Sequence, residues 1–185
     1  MDLIDTKIET TAPTDRGGAN LPVSFMIGQC WLGAVLVAAG GKGVCAILLG
    51  DDPAALRREL AGRFPGAQAI DGDRLLDEMM KRAVDFVEVP NRTVDFPLDL
   101  HGTDFELKVW AALREIPPGA TTTYSAIAEQ IGAPRDAYAV GEACAANMIA
   151  VAVPCHRVLR KDGSLAGYRW GTRRKRALLA REGAR

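Results

Sequence analysis

The sequence predicts a mixed α/β (α+β) protein, with a small antiparallel sheet and helices in its first half and a helical second half containing a helix-turn-helix. Three short apolar runs between Val23 and Leu49, parted by glycine-bearing breaks, point to the sheet. Beyond Asp52 apolar residues recur at helical spacing, and Pro117-Pro118-Gly119 and Gly132-Ala133-Pro134 cut the later part into short helices. With 185 residues the chain has room for one domain or two small ones sharing an interface.

Residues 1–22 are rich in Thr, Asp, Gly and Pro without periodicity and read as a flexible leader. The sheet strands are expected over Val23–Ile27, Trp31–Ala39 and Gly43–Leu49, broken at Gly28-Gln29-Cys30 and at Gly40-Gly41-Lys42. Asp52-Pro53 opens a helix to about Phe64, because proline suits a first helical position. A second helix is expected from Asp73 to Phe86, followed by a linker bounded by Pro90 and Pro97 with a short extended piece over Phe96–Leu100. Thr103-Asp104-Phe105-Glu106 has the spacing of a capping box, and Phe105, Val109, Trp110 and Leu113 then share one face. A short helix over Tyr124–Ile131, a turn, and a helix of small residues over Arg135–Ala146 make the helix-turn-helix pattern. Ala137, Ala139, Gly141 and Ala143 would let that helix come close to a partner, either a DNA groove or another helix. Val151–Val153 reads as a short extended run leading to Pro154-Cys155-His156-Arg157-Val158. The implied division is a leader over 1–22, a first unit with its linker over 23–97 and a second unit over 98–185.

Net charge is zero, but residues 1–100 carry 10 Lys/Arg against 15 Asp/Glu and residues 101–185 carry 13 against 8. An acidic front and a basic back can make a one-sided electrostatic surface. Much of the excess lies in Arg169, Arg173, Arg174, Lys175, Arg176, Arg181 and Arg185, for which a solvated helix face is the plain reading. No stretch reaches the roughly 20 apolar residues of a membrane helix, and the N-terminus lacks the pattern of a signal peptide, so a cytoplasmic protein is expected. The four cysteines form no CxxC pair and only His101 and His156 could join them, so neither a metal nor a cofactor is expected. Cys30, Cys45 and Cys144 sit among apolar or small residues and read as packing groups.

Cys155 is different, because a thiol beside an imidazole is a common route to a nucleophilic thiolate. Neighbours in an extended run point opposite ways, so His156 would act through a bridging water, with Glu182 a candidate to orient it.

Pro154-Cys155-His156-Arg157-Val158 resembles the signature of the O6-alkylguanine-DNA alkyltransferases. Thr122-Thr123-Tyr124, Ala143-Cys144-Ala145-Ala146-Asn147 and Gly167-Tyr168-Arg169-Trp170-Gly171 extend the likeness, as do Cys45 to Asp52 and Leu98 to Thr103. Within the family the chain is most similar to the C-terminal half of the bacterial Ada-type members, over roughly 23–183; no counterpart of their cysteine-rich zinc and regulatory half is expected. The resemblance implies a ribonuclease H-like N-terminal domain and a winged-helix-like C-terminal domain. It implies minor-groove binding of double-stranded DNA as a monomer, with the damaged guanine flipped out, since O6 within the stack is out of line for a sulfur nucleophile. Cys155 would accept the alkyl group once and irreversibly. His156 would form the thiolate through a water, Glu182 would orient His156, and Asn147 would brace the turn. Tyr124 would turn the phosphate outward and donate a proton toward N3. The carbonyls of Cys155 and Val158 would hold the guanine amino group, the N–H groups near Ala166 and Gly167 would face O6, and Cys144 would line the pocket. Thr123, Arg135, Ala137, Tyr138, Ala139, Gly141 and Arg157 would meet the DNA.

Tyr138 departs from the family, which usually places an intercalating arginine there. A tyrosine ring can still stack on bases, but it carries no charge, and Asp136 adds a negative one nearby. Ala166 stands where many relatives carry Ser. Three other readings compete: a lesion-binding protein with weak transfer, a Cys-His-Glu hydrolase, and a helix-turn-helix regulator without chemistry. A lesion binder would gain no alkyl mass, a hydrolase would turn over, and a regulator would not need Cys155.

Overall fold

The computed structural model describes residues 23–69 and 74–184. The expected leader over 1–22, the expected helix start at Asp73 and the terminal Arg185 lie outside the described residues. The chain is a mixed α/β protein with an antiparallel sheet first and a helical region after it.

Strands β1 (Ser24–Cys30), β2 (Gly33–Gly40) and β3 (Gly43–Gly50) form the meander, with β2 central to it. The first turn falls at Trp31-Leu32, not at Gly28-Gln29-Cys30, which stay in the strand. The reason is Gly33, at φ +112°, where a Cβ would come 2.6 Å from the Gly50 carbonyl oxygen; only glycine takes that conformation cheaply. Trp31 is held there by α2 (Arg74–Glu88): its backbone N–H donates to Glu88 and its indole N–H to the Val87 carbonyl, both at 2.8 Å. A two-residue strand, β4 (Gln68–Ala69), adds to β1 in parallel and is too short to have a sequence signal.

Helix α1 (Pro53–Arg63) begins where Asp52 accepts from the amides of Ala54 and Ala55. It buries Leu56 and Leu60, each such side chain adding about 1.5–3 kcal/mol of hydrophobic stabilisation. Helix α3 (Asp104–Arg114) carries the expected capping box at Thr103 and Glu106, and Trp110 donates to the Ala143 carbonyl at 2.8 Å, which fixes α3 on the later helices. Helix α4 (Tyr124–Gln130) follows a two-residue strand β5 (Thr122–Thr123). Helix α5 (Ala137–Ala146) starts two residues later than expected, because Ala133 to Asp136 close a turn with the Asp136 amide on the Ala133 carbonyl at 2.9 Å. After the cysteine come β6 (Val158–Leu159), parallel to β5, and α6 (Thr172–Glu182), which ends at Gly183 with φ +71°.

The outer edge of β3 is covered by two segments from later in the chain. Val44 exchanges hydrogen bonds with Pro97 and Asp99, and Ile47 with Met148 and Ala150, all at 2.9 Å. The first of these is the extended piece expected near Phe96–Leu100. Residues Val151–Val153 are not extended. They form a buried turn in which Val151 has φ +66°, the sole positive value at a non-glycine among the described residues.

The basic run is only partly a solvated face: Arg173, Arg176 and Arg181 are exposed. Arg174 and Lys175 are buried. Arg169 pairs with Glu59 at 2.8 Å, Arg173 and Arg174 pair with Asp51, and the Arg181 guanidinium lies 4.5 Å over the Trp31 ring. The excess positive charge of the second half is partly spent on the acidic first half. No helix among the described residues is long and apolar enough to cross a membrane.

Candidate active site

Cys155 opens a single 3-10 turn, Cys155–Arg157, at the exit of the strained turn at Val151. A β-branched residue at positive φ is costly and persists only where its surroundings over-determine it. Asn147 does so here. Its Oδ1 accepts from the Ile149 amide at 2.8 Å, and its Nδ2 donates to Val153 O at 2.9 Å, Ile149 O at 3.4 Å and Cys155 Sγ at 3.4 Å. One buried amide therefore closes the turn and grips the sulfur.

The sulfur is buried, with Cys155 only 3% exposed. Burial pushes its thiol up from the ordinary range, and the Asn147 hydrogen bond, the Lys175 charge and the Arg169 charge pull against it. His156 does not bond to it; its Nε2 meets Glu182 Oε1 at 2.8 Å. With Nε2 donating to that carboxylate, Nδ1 keeps its lone pair, and it has no partner among the described residues. Burial lowers the His156 pKa, against the pull of Glu182, so the ring is neutral near pH 7. Burial works to raise Glu182, but hydrogen bonds from His156 and Arg157 outweigh it and bring the carboxyl down to about 2.

Arg157 does not fit the expected DNA contact. It is buried, its Nε and Nη2 donate to the two Glu182 oxygens at 2.9 and 2.8 Å, and its Nη1 is spent on the Ile116 carbonyl. A bidentate guanidinium is worth more on a buried carboxylate than in water, so the residue belongs to the interior.

A cleft of about 510 Å³ opens beside this interior, lined by Thr123, Tyr124, Ser125, Ala137, Tyr138, Gly141, Glu142, Arg160, Lys161 and Ala166. That volume falls in the range of small-molecule sites, about 300–1,000 Å³. Thr123 caps α4, its hydroxyl accepting the Ala126 amide. Tyr124 stands with its ring against Gly141. Burial, then the nearby Cys144 and Cys155, push its phenol up to about 12, so it keeps its proton at neutral pH. Tyr138 projects 82% exposed from the start of α5. Ala166 lines the cleft, whereas Cys144, Cys155 and Val158 are buried behind it and Gly167 is exposed outside it. Arg135 and Ala139 do not line it either.

The Val158 carbonyl already accepts from Lys175 Nζ at 2.6 Å, and the Cys155 carbonyl from the Val158 amide. Carbonyl oxygens have two lone pairs, so either can still take a second donor. Sequence reasoning missed Arg160 and Lys161, though they directly follow the cysteine motif, and it read Lys175 as a surface charge. Nor did it foresee that β5 pairs with β6, which ties Tyr124 to the segment after Cys155.

A family profile described as "6-O-methylguanine DNA methyltransferase, DNA binding domain" matches residues 104–184. The "bifunctional transcriptional activator/DNA repair enzyme Ada" of Escherichia coli K12 is 46% identical over 179 residues, 96% of this chain and 51% of that protein. The inducible methylated-DNA–protein-cysteine methyltransferase of Bacillus subtilis 168 is 43% identical over 117 residues, 63% of this chain and 65% of its own length. The chain thus spans about half the length of the first of these relatives. Among solved structures, Mycobacterium tuberculosis OGT in complex with DNA superposes with a TM-score of 0.70 at 35% identity, covering 86% of this chain and 92% of that one. The O6-methylguanine-DNA methyltransferase of Pyrococcus kodakaraensis KOD1 superposes at 0.66 with 25% identity, covering 88% and 99%.

Proposed function

Because the chain belongs to the O6-methylguanine-DNA methyltransferase family, we propose that it repairs DNA directly by moving the alkyl group from guanine O6 to Cys155, once per molecule. The observation that carries this reading is the Asn147-held Cys155 sulfur beside a neutral His156 whose Nε2 is fixed by Glu182. His156 Nδ1, through a water, takes the thiol proton. A sulfur lone pair then forms the S–C bond while the C–O6 electrons pass to guanine. Guanine takes a proton at N3 from Tyr124, which burial keeps protonated at neutral pH, and the proton held by His156 returns through water to the Tyr124 phenolate. The balance is one thiol proton given up and one guanine proton gained. The thioether product has no route back to a thiol, so the protein is consumed.

Double-stranded DNA would lie along the cleft face, bound from the minor groove by the start of α5, with Tyr138 as the wedge and Arg160 and Lys161 opposite it. The test is intact-protein mass spectrometry after mixing with duplex DNA bearing O6-methylguanine. The expected result is one added methyl on the Cys155 peptide, saturating at one equivalent, and none on Cys155→Ser. A protein that binds the duplex at unchanged mass is a lesion binder, and one that turns over is a hydrolase.

A further inference from the structure

Four formally charged side chains are buried among the described residues: Arg157, Arg174, Lys175 and Glu182. Arg157 and Glu182 neutralise one another, and Arg174 reaches Asp51. Lys175 is fully buried, and no carboxylate pairs with it among the described residues; its one hydrogen-bond partner there is the Val158 carbonyl. A buried ammonium without an anion is expensive, and a carbonyl answers only one of its three protons. The titratable groups near it are Cys155, Cys144, Arg160 and His156. Around Cys155 stand Cys144 on α5, Asn147 just after it, Lys175 on α6, Arg169 and Tyr168 in the loop before α6, and Tyr124 on α4.

We propose that Lys175 is the counter-cation of the Cys155 thiolate, a positioning residue that makes the buried site neutral when the sulfur is ionised. This rests on the transfer reading for its use, but the pairing itself does not need DNA. His156, neutral and held by Glu182, supplies a path for the proton; Lys175 supplies the charge that lets the anion stay. Alkylation removes that anion. The negative charge leaves with guanine and is quenched there by a proton, so the spent protein holds an unanswered cation in its core. Wherever the starting protein holds the thiolate, the alkylated form is therefore less stable than it for an electrostatic reason in addition to any steric one.

The test separates charge from hydrogen bonding. Lys175→Gln can still donate to the Val158 carbonyl but carries no charge, and Lys175→Arg keeps the charge. Thiolate formation is followed by ultraviolet absorbance against pH, subtracting Cys155→Ser, and single-turnover methyl transfer is followed over the same pH range. In the Gln variant the Cys155 midpoint is expected about one pH unit or more above wild type, with transfer near neutral pH about tenfold slower or worse and recovering in alkali. The Arg variant should lie nearer wild type. An unshifted thiolate midpoint in the Gln variant overturns the pairing, as does a rate loss equal at every pH. If the Gln variant does not fold, wild type alone decides: the Lys175 ammonium, followed by nitrogen NMR of Nζ, should lose its proton at lower pH in the methylated than in the unmodified protein, and equal midpoints overturn the proposal. A shifted midpoint in a protein that takes no methyl group would instead sink the transfer reading and leave the ion pair standing.

Discussion

Asn147 makes more of the site than any other single side chain, since it both closes the Val151 turn and holds Cys155 Sγ. Asn147→Ala should lose about 1–3 kcal/mol, the cost of leaving buried backbone groups without partners, read as a lower urea midpoint, and transfer should slow because the sulfur is no longer held. Tyr138 belongs to the same scale but to the opposite environment. At 82% exposed it adds stacking surface without charge. Tyr138→Arg should tighten duplex binding and steepen its salt dependence by about one phosphate contact, measured by fluorescence anisotropy at several salt concentrations. An unchanged dissociation constant and slope would mean that residue 138 does not touch the DNA. Cys155 and Tyr138 were legible in sequence because their neighbours form a specific pattern. The burial of Arg157 and Lys175 was not, because whether a charge is solvated or enclosed depends on partners distant in the chain.

Helix α6 delivers Glu182 to the His156 and Arg157 side chains, and its end at Gly183 sets where that carboxylate falls. Glu182→Gln would strand the Arg157 guanidinium in the interior, a change that costs about 3–5 kcal/mol where a buried pair is broken on one side, and thermal unfolding should show it. The same pair governs acid stability. Folded His156 resists protonation that the unfolded chain accepts below about 6.5, and folded Glu182 stays ionised to about 2 where the unfolded carboxyl protonates near 4.5. In both cases the unfolded state binds more protons, so stability falls with pH, beginning below about 6.5 and steepening from 4.5 toward 2. Denaturation midpoints between neutral and acid pH should follow that course, and a flat profile would contradict it. Most elements were legible from local chemistry: Asp52-Pro53, the Thr103 box and the paired glycines at Gly40 and Gly43 all act within a few residues. The Val151–Val153 segment misled, because three small or β-branched apolar residues look extended, and the bend into a turn comes from the Asn147 side chain outside the run. The two-residue strands carry no periodicity at all.

Across the molecule, the two halves are joined by hydrogen bonds and charge as well as by apolar packing. Arg174 reaches Asp51, the Leu32 carbonyl and the Trp170 carbonyl. Asp51 is largely exposed, so the ion pair itself adds little; the carbonyls matter more. Arg174→Met should lower stability by about 1–3 kcal/mol in denaturant unfolding while leaving the single-turnover transfer rate within a small factor, because the hydrogen bonds of Arg174 go to Asp51, Leu32 and Trp170. The coverage of the β3 edge reaches further. Ile47 exchanges backbone hydrogen bonds with Met148 and Ala150, on either side of Ile149, whose amide donates to the Asn147 side chain that holds the Cys155 sulfur. The reach of the sulfur is thus calibrated by a strand contributed from the opposite end of the chain. A lesion in that strand, far from any nucleotide, would silence the acceptor while every residue of the cysteine motif stayed intact.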